Sequence, residues 1–202
     1  ATPQLRRFKQ SYLSKLPPQE IKLVNTAQPR IPRLTIGQSA KHIGIVIHQL
    51  LERIAQQQWN IIINHDSVTR QLKQLGMPNT EISSSAELIL KTIESVRQDP
   101  RGQWILSPEH QDAHNEYALS VVQQDEVKQL IIDRCFIDKS GTRWIIDYKT
   151  SSNLDQAAYQ SQLDRYANAF QQIEDRPIQL GVYFPITADW LEWTFANQRA
   201  MA

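Results

Sequence analysis

The stretch 127–149 constrains the fold more than any other part of the chain. Leu130, Ile131, Ile132, Phe136 and Ile137, then Trp144, Ile145 and Ile146, make two short runs that are apolar on both alternating faces. A run of that kind belongs inside a covered sheet, not on its solvent side. Between the runs, Asp138-Lys139-Ser140-Gly141 is turn-like, and Gly141 can take the positive φ of a tight connection. The spacing therefore predicts an antiparallel hairpin. With a three-residue loop, 139–141, residue 138 pairs with 142 and Asp133 falls opposite Asp147. With a four-residue loop Asp133 falls opposite Ile146. The first register places the two carboxylates on one face, with their Cβ atoms roughly 5 Å apart. Lys149, two residues beyond Asp147, points the same way.

Two like charges on a covered strand pair repel each other unless a cation lies between them. A hard divalent cation with oxygen ligands meets that need. A lysine beside it can orient a water or stabilise charge developing on a phosphate. An ordinary ion-pair network of Asp133, Arg134, Asp147 and Lys149 at a sheet end satisfies the same spacing. Chemistry alone leaves both readings open, because Asp-x-Lys is common by chance.

Around this hairpin the periodicity divides the chain. Residues 1–40 are polar and rich in proline, at 17, 18, 29 and 32, and read as a connecting arm with a basic "RRFKQ" near its start. Residues 41–202 read as the folded domain. Its first helix covers 39–58, with Ile43, Ile47, Leu50, Leu51 and Ile54 at helical spacing and Ser39 as N-cap. Two more helices are predicted over 66–75 and 84–98, the second capped by Ser83 or Ser84 and stopped by Asp99-Pro100. Strand-like runs follow at 103–106, 115–123, 127–137 and 142–149. A helix over about 155–173, with Leu163, Tyr166, Ala167, Phe170 and Ile173 on its apolar side, precedes strands near 177–184 and 190–196. Helices followed by a sheet that a helix interrupts indicate a mixed α/β sandwich.

Composition narrows the function classes. Twenty-two basic and 21 acidic residues leave a formal charge of +1, so any nucleic-acid surface has to be local. The single cysteine, Cys135, rules out an internal disulfide, a four-cysteine zinc site and a cysteine-held iron–sulfur cluster. A reducing, cytoplasmic setting is expected. No apolar run reaches membrane-spanning length, so no membrane partner is expected. Nor is there a Walker A loop. The chain opens on Ala1 and is read as a piece of a longer protein.

The hairpin, as "IIDRCFIDKSGTRWIIDYKTS", resembles the core of RecB-like nucleases in the PD-(D/E)xK superfamily, above all the C-terminal nuclease domain of AddA- and UvrD-type helicase–nucleases. The matching residues are Ile132-Asp133-Arg134, Gly141, and Ile145-Ile146-Asp147-Tyr148-Lys149-Thr150. Three more elements stand in the family's order: Gly44 to His48 as Gly-x-x-x-His, Glu116 on the first sheet strand, and Gln162 to Tyr166 as Gln-x-x-x-Tyr. The likeness covers about residues 41–195, with one departure: Leu130 stands where the family has glycine.

The resemblance implies a restriction-endonuclease-like core, αβββαβ, in which helices flank a mixed sheet, with 66–98 as an extra helical insertion. It implies DNA phosphodiester hydrolysis with Mg²⁺ or Mn²⁺, and helicase motor domains, in the same or a partner chain, feeding DNA to the site for repair or recombination. The metal ligands would be His48, Asp133, Asp147 and the backbone carbonyl of Tyr148. Lys149 would position the attacking water, while Gln162 and Tyr166 brace the site and touch the DNA backbone. Glu116 stays open between an acid supporting the ligands and an exposed strand residue. Arg134, on the other strand face, is read as structural. His42, His65, His110 and His114 show no metal spacing, and Trp190 and Trp193 are read as covering a sheet edge. Two alternatives stay open: a DNA-binding or scaffold domain that has lost catalysis, and an RNA-directed nuclease of the same superfamily.

Overall fold

The sheet is built outward from the hairpin. In the computed structural model, which describes residues 36–123, 126–150 and 154–196, β2 (Glu126–Ile137) and β3 (Arg143–Tyr148) run antiparallel. Their register pairs Arg134 with Ile146 and Ile137 with Arg143. The Asp138 N–H bonds the Thr142 carbonyl at 3.0 Å, and Gly141 takes φ +85°. This is the three-residue loop, and one further step of the same register sets Asp133 opposite Asp147.

β1 (Gln111–Gln123) adds antiparallel to the outer side of β2, and β4 (Ile178–Phe184) adds parallel to β3. A parallel pair needs a crossover, which α5 (Ala157–Phe170) supplies. β5 (Asp189–Thr194) closes the far edge, giving the order β1-β2-β3-β4-β5 among the described residues. Trp190 of β5 lies so close to Gly181 that any Cβ there would run into its indole ring.

Alternation along the strands sorts the core into two layers. Phe136, Trp144, Ile146, Tyr148 and Tyr183 pack with the helices that precede the sheet: α1 (Ile36–Gln57), α2 (His65–Gln74), α3 (Asn79–Gln98) and α4 (Pro100–Ile105). Cys135, Ile145, Leu180, Val182 and Phe184 pack on the other face with Leu163, Tyr166 and Phe170 of α5. The mixed sheet flanked by helices is the predicted fold class, with β5 as an added strand. No helix among the described residues is long and apolar enough to cross a membrane.

Local chemistry moved several boundaries. The connecting arm read over 1–40 lies outside the described residues as far as 35, and 36–40 belong to α1. Ser39 is therefore a buried residue of α1 rather than its cap. α3 starts at Asn79 behind Pro78, so Ser83 and Ser84 lie inside it; the Ser84 hydroxyl bonds back to the Glu81 carbonyl at 3.1 Å. The predicted strand at 103–106 is the end of α4 and its C-cap. Asp99 starts that helix by accepting from the backbone N–H groups of Arg101 (3.3 Å) and Gly102 (2.8 Å), with Pro100 at the first position. α5 ends at Phe170, which leaves Ile173 65% exposed instead of on an apolar face.

Cys135 sits fully buried against the α5 layer, and burial pushes its thiol up to about 12. A thiol so placed is neither ionised nor reachable near neutral pH. Ellman's reagent is expected to find no reactive thiol in the native chain and one per chain in denaturant. Rapid labelling of the native protein would show that the α5 layer is not packed as described.

Candidate metal centre

β2 departs from simple alternation at one place. Ile132 and Cys135, three residues apart, both pack in the α5 layer. The break falls at Asp133–Arg134. Across the β1–β2 ladder Asn115 pairs with Arg134 and Tyr117 with Ile132, so Glu116 stands beside Asp133. Glu116 has φ +46°, an uncommon conformation for a residue with a Cβ and a mark of local irregularity. Arg134, read from sequence as lying on the opposite strand face, turns to the same α1–α4 side because of this break, and its guanidinium donates to the carbonyls of Ile105 (3.1 Å) and Ser107 (3.3 Å) and to Asn115 Oδ1 (3.1 Å). It ties α4 to the sheet, the structural role read from sequence.

Asp133 joins the sheet to α1. Its Oδ2 accepts the backbone N–H of Tyr148 at 2.7 Å, and its Oδ1 lies 3.5 Å from His48 Nδ1. His48 rests edge-on against the Tyr148 ring, with centroids 5.6 Å apart. One turn earlier, Gly44 makes the approach possible: a Cβ there would lie 3.1 Å from Thr150 Oγ1. The outcome is a triplet, His48, Glu116 and Asp133, each offering a ligand atom within 4.8 Å of the others.

Asp147 belongs to an adjoining group. It is 4% exposed; its Oδ1 accepts from Gln162 Nε2 at 2.9 Å, and its Oδ2 lies 2.6 Å from Lys149 Nζ. Gln162 donates its second amide hydrogen to Tyr166 Oη at 2.9 Å and accepts from Lys149 Nζ at 3.4 Å. Gln162 and Tyr166 are one turn apart on α5, so that helix holds Asp147 and Lys149 from behind. Thus His48 and Asp133 come together, as do Asp147, Lys149, Gln162 and Tyr166, while Asp147 stands outside the triplet.

His110 and His114, which show no metal spacing in the sequence, make other contacts. His110 Nε2 lies 2.6 Å from the Trp104 carbonyl, and the ring stacks on Phe136. His114 pairs with Asp112 at 2.8 Å. Glu116 is the residue whose place was least legible, since only the β1–β2 register and the turn in its own backbone bring it to Asp133. Lys41 and Glu52 share the cleft above the site with Gly44 and His48. Their offsets of three, seven and eleven residues, on one helical face, were the available signal.

The charges bear on one another. Burial works to lower the His48 pKa, but the carboxylates of Asp133, Asp147 and Glu116 outweigh it and the pKa is raised. Burial, then Asp133, raises Glu116. Burial first and Asp133 second push Asp147 up from 3.8 to about 6, against the opposing pull of Lys149. Carboxylates held this close resist ionising together unless a cation neutralises them. One imidazole and two carboxylates, with a third carboxylate alongside, are a suitable donor set for a divalent ion. The residues fit such an ion.

A raised carboxylate pKa has a defined sign. The protonated form of Asp147 favours the fold; that contribution is complete below the unfolded-state value and is lost as pH rises through about 6. From 3.8 to about 6 is worth about 3 kcal/mol. Asp147→Asn in EDTA is therefore expected to raise the melting temperature at pH 8 and to change it little near pH 4. An equal effect at both values would mean that Asp147 carries no such burden.

The sequence matches the model of the PD-(D/E)XK nuclease superfamily over residues 6–198. No curated protein matches it. A solved structure titled "Crystal structure of SSO0001" is similar at 16% identity and a TM-score of 0.35, over 78% of this chain and 82% of that one, a likeness too slight to carry an argument. The family match spans nearly the whole chain, including every residue of the triplet and of the group that α5 holds, and the chain belongs to the PD-(D/E)XK nuclease superfamily.

Proposed function

We propose that the chain is a divalent-metal-dependent deoxyribonuclease that hydrolyses phosphodiester bonds, and that it works as the nuclease part of a RecB-like helicase–nuclease in DNA repair and recombination. The observation that carries the nuclease reading is the juxtaposition of the two groups. The triplet opens into a cleft of about 690 Å³, and Lys149 lines that cleft too. The helicase context rests on the Gly-x-x-x-His, Asp-Tyr-Lys-Thr and Gln-x-x-x-Tyr motifs standing in that family's order.

His48, Glu116 and Asp133 would hold the ion, with Asp147 and the Tyr148 carbonyl completing its shell. Mg²⁺ or Mn²⁺ held there would supply Lewis-acid polarisation of the phosphate and make a water more acidic. The chain's own residues do the rest. Gln162 and Tyr166 fix the carboxylate of Asp147, so it cannot swing away. Asp147 and Gln162 aim Lys149 Nζ, which holds the water and meets the negative charge that grows on the phosphate. The Tyr148 N–H keeps Asp133 turned toward α1 and His48.

The test is cleavage of end-labelled single- and double-stranded DNA in Mg²⁺, in Mn²⁺ and in EDTA. Cutting is expected only with metal, and Lys149→Ala is expected to reduce it about 100-fold or more while metal still binds. Metal binding without cutting would favour the scaffold reading, and cutting confined to RNA would favour the RNA-directed one. In calorimetric titration with Mn²⁺, Glu116→Gln is expected to weaken binding about 10-fold. Unchanged affinity would remove Glu116 from the metal's surroundings.

A further inference from the structure

The cleft is not evenly charged. The α1 face that lines it runs Lys41, Gly44, Ile45, His48 and Glu52. Glu52, Glu116 and Asp133 gather at the His48 end, with Asp147 behind them. A polyanion entering there meets like charge, which a single divalent ion offsets only in part. Binding a nucleic acid strand also takes fixed cations, each neutralising about one phosphate.

Two cations line the cleft, Lys41 and Lys149. The second is committed: its Nζ lies 2.6 Å from Asp147 and 3.4 Å from Gln162. Lys41 is exposed, and it makes no ion pair among the described residues. It stands seven residues before His48, roughly 10 Å along the helix at 1.5 Å per residue. Beside Lys41 the wall is low, before the bulkier Ile45. Ala40 and Gly44 carry little or no side chain, and Thr150 lies against Gly44. Among the described residues, a strand backbone can therefore lie along Ala40 and Gly44 without meeting a long side chain at either position.

We propose that Lys41 binds a phosphodiester flanking the one that is cut, so that the end of the cleft lined by Ala40, Lys41, Gly44 and Thr150 is a substrate-strand subsite. This rests on the nuclease reading above. Lys41 is a binding residue: it acts on how the strand is held and not on the bond that breaks. Its loss therefore changes KM and the salt dependence of binding, and leaves kcat in place.

The experiment measures anisotropy of a labelled single-stranded oligonucleotide in Mg²⁺, on a Lys149→Ala background that keeps the strand uncut. Salt is varied from about 50 to about 200 mM. Lys41→Ala is expected to reduce the slope of log affinity against log salt by about 0.7, as expected for one single-strand phosphate contact. Lys41→Arg is expected to restore it. Lys73→Ala, which removes the same charge from the exposed end of α2, is expected to leave it alone. With Lys149 intact, Lys41→Ala is expected to raise KM roughly 2- to 5-fold with little change in kcat. An unchanged slope and KM in Lys41→Ala, beside a parent that cuts, overturns the Lys41 assignment and leaves the nuclease reading standing. A parent that neither binds nor cuts the strand overturns both.

Discussion

The meeting of Asp133 with Asp147 depends on one turn. Asp138 locks it with a single carboxylate: Oδ1 accepts from the N–H groups of Ser140 (2.8 Å) and Thr142 (3.1 Å) and from the Ser140 hydroxyl (2.6 Å). Oδ2 accepts from the Trp144 indole at 2.8 Å. Gly141 supplies the left-handed residue, at φ +85°. The loop length so fixed sets Arg134 against Ile146 and carries Asp133 to the level of Asp147. Side chains alternate with a period of two, so a slip of one residue would send Asp147 to the α1 face and away from Gln162. The turn lies at the opposite end of the strands from the chemistry, yet it decides whether the acids meet.

Holding those acids together works against stability. Asp147 is buried close to Asp133, and among the described residues Lys149, Gln162 and, at longer range, His48 compensate it. The fold carries this load because the surroundings are well determined. β3 is buried along its whole length between two apolar layers. The parallel pairing with β4 then runs one residue past the strand, where the Lys149 N–H bonds the Tyr183 carbonyl at 2.9 Å. Lys149 is thus fixed by its backbone as well as by its side chain. Such prior organisation lets a lysine stabilise charge without first rearranging.

The parts that were legible in the sequence are those decided locally. The hairpin followed from its two apolar runs and the turn at Gly141, with the observed register one of the two that the spacing allowed, and the two-sided burial of β3 followed from its unbroken apolar run. The partnership of Gln162 and Tyr166 followed from helical spacing. The misread parts depend on what lies farther off. "QWIL" is apolar enough for a strand, but Asp99 caps it as a helix, and its Tyr183 partner comes 84 residues later. Ile173 suits an apolar helix face, but α5 stops before reaching it. Glu116 was not misread but left open: the resemblance pointed to it, and the residues around it did not decide its role. Neither its neighbours nor its spacing mark it, and its place comes from a register shared with β2 and from a positive φ in its own backbone.

That irregularity explains how one centre draws on both sides of a sheet. Strict alternation would put Asp133 and Asp147 together on the α5 face, out of reach of α1. Because β2 breaks step between Ile132 and Cys135, Asp133 turns to His48 and leaves Asp147 to Gln162. The Tyr148 N–H then bridges the two groups, since it belongs to the residue after Asp147 and bonds the carboxylate of Asp133. Each layer thus positions its own half of the site. α1, through Gly44 and Thr150, sets the depth at which the imidazole sits, and α5, through Gln162, sets the direction of Lys149. The end of β3 is the one segment common to both, which is why its charges interrupt an otherwise apolar strand.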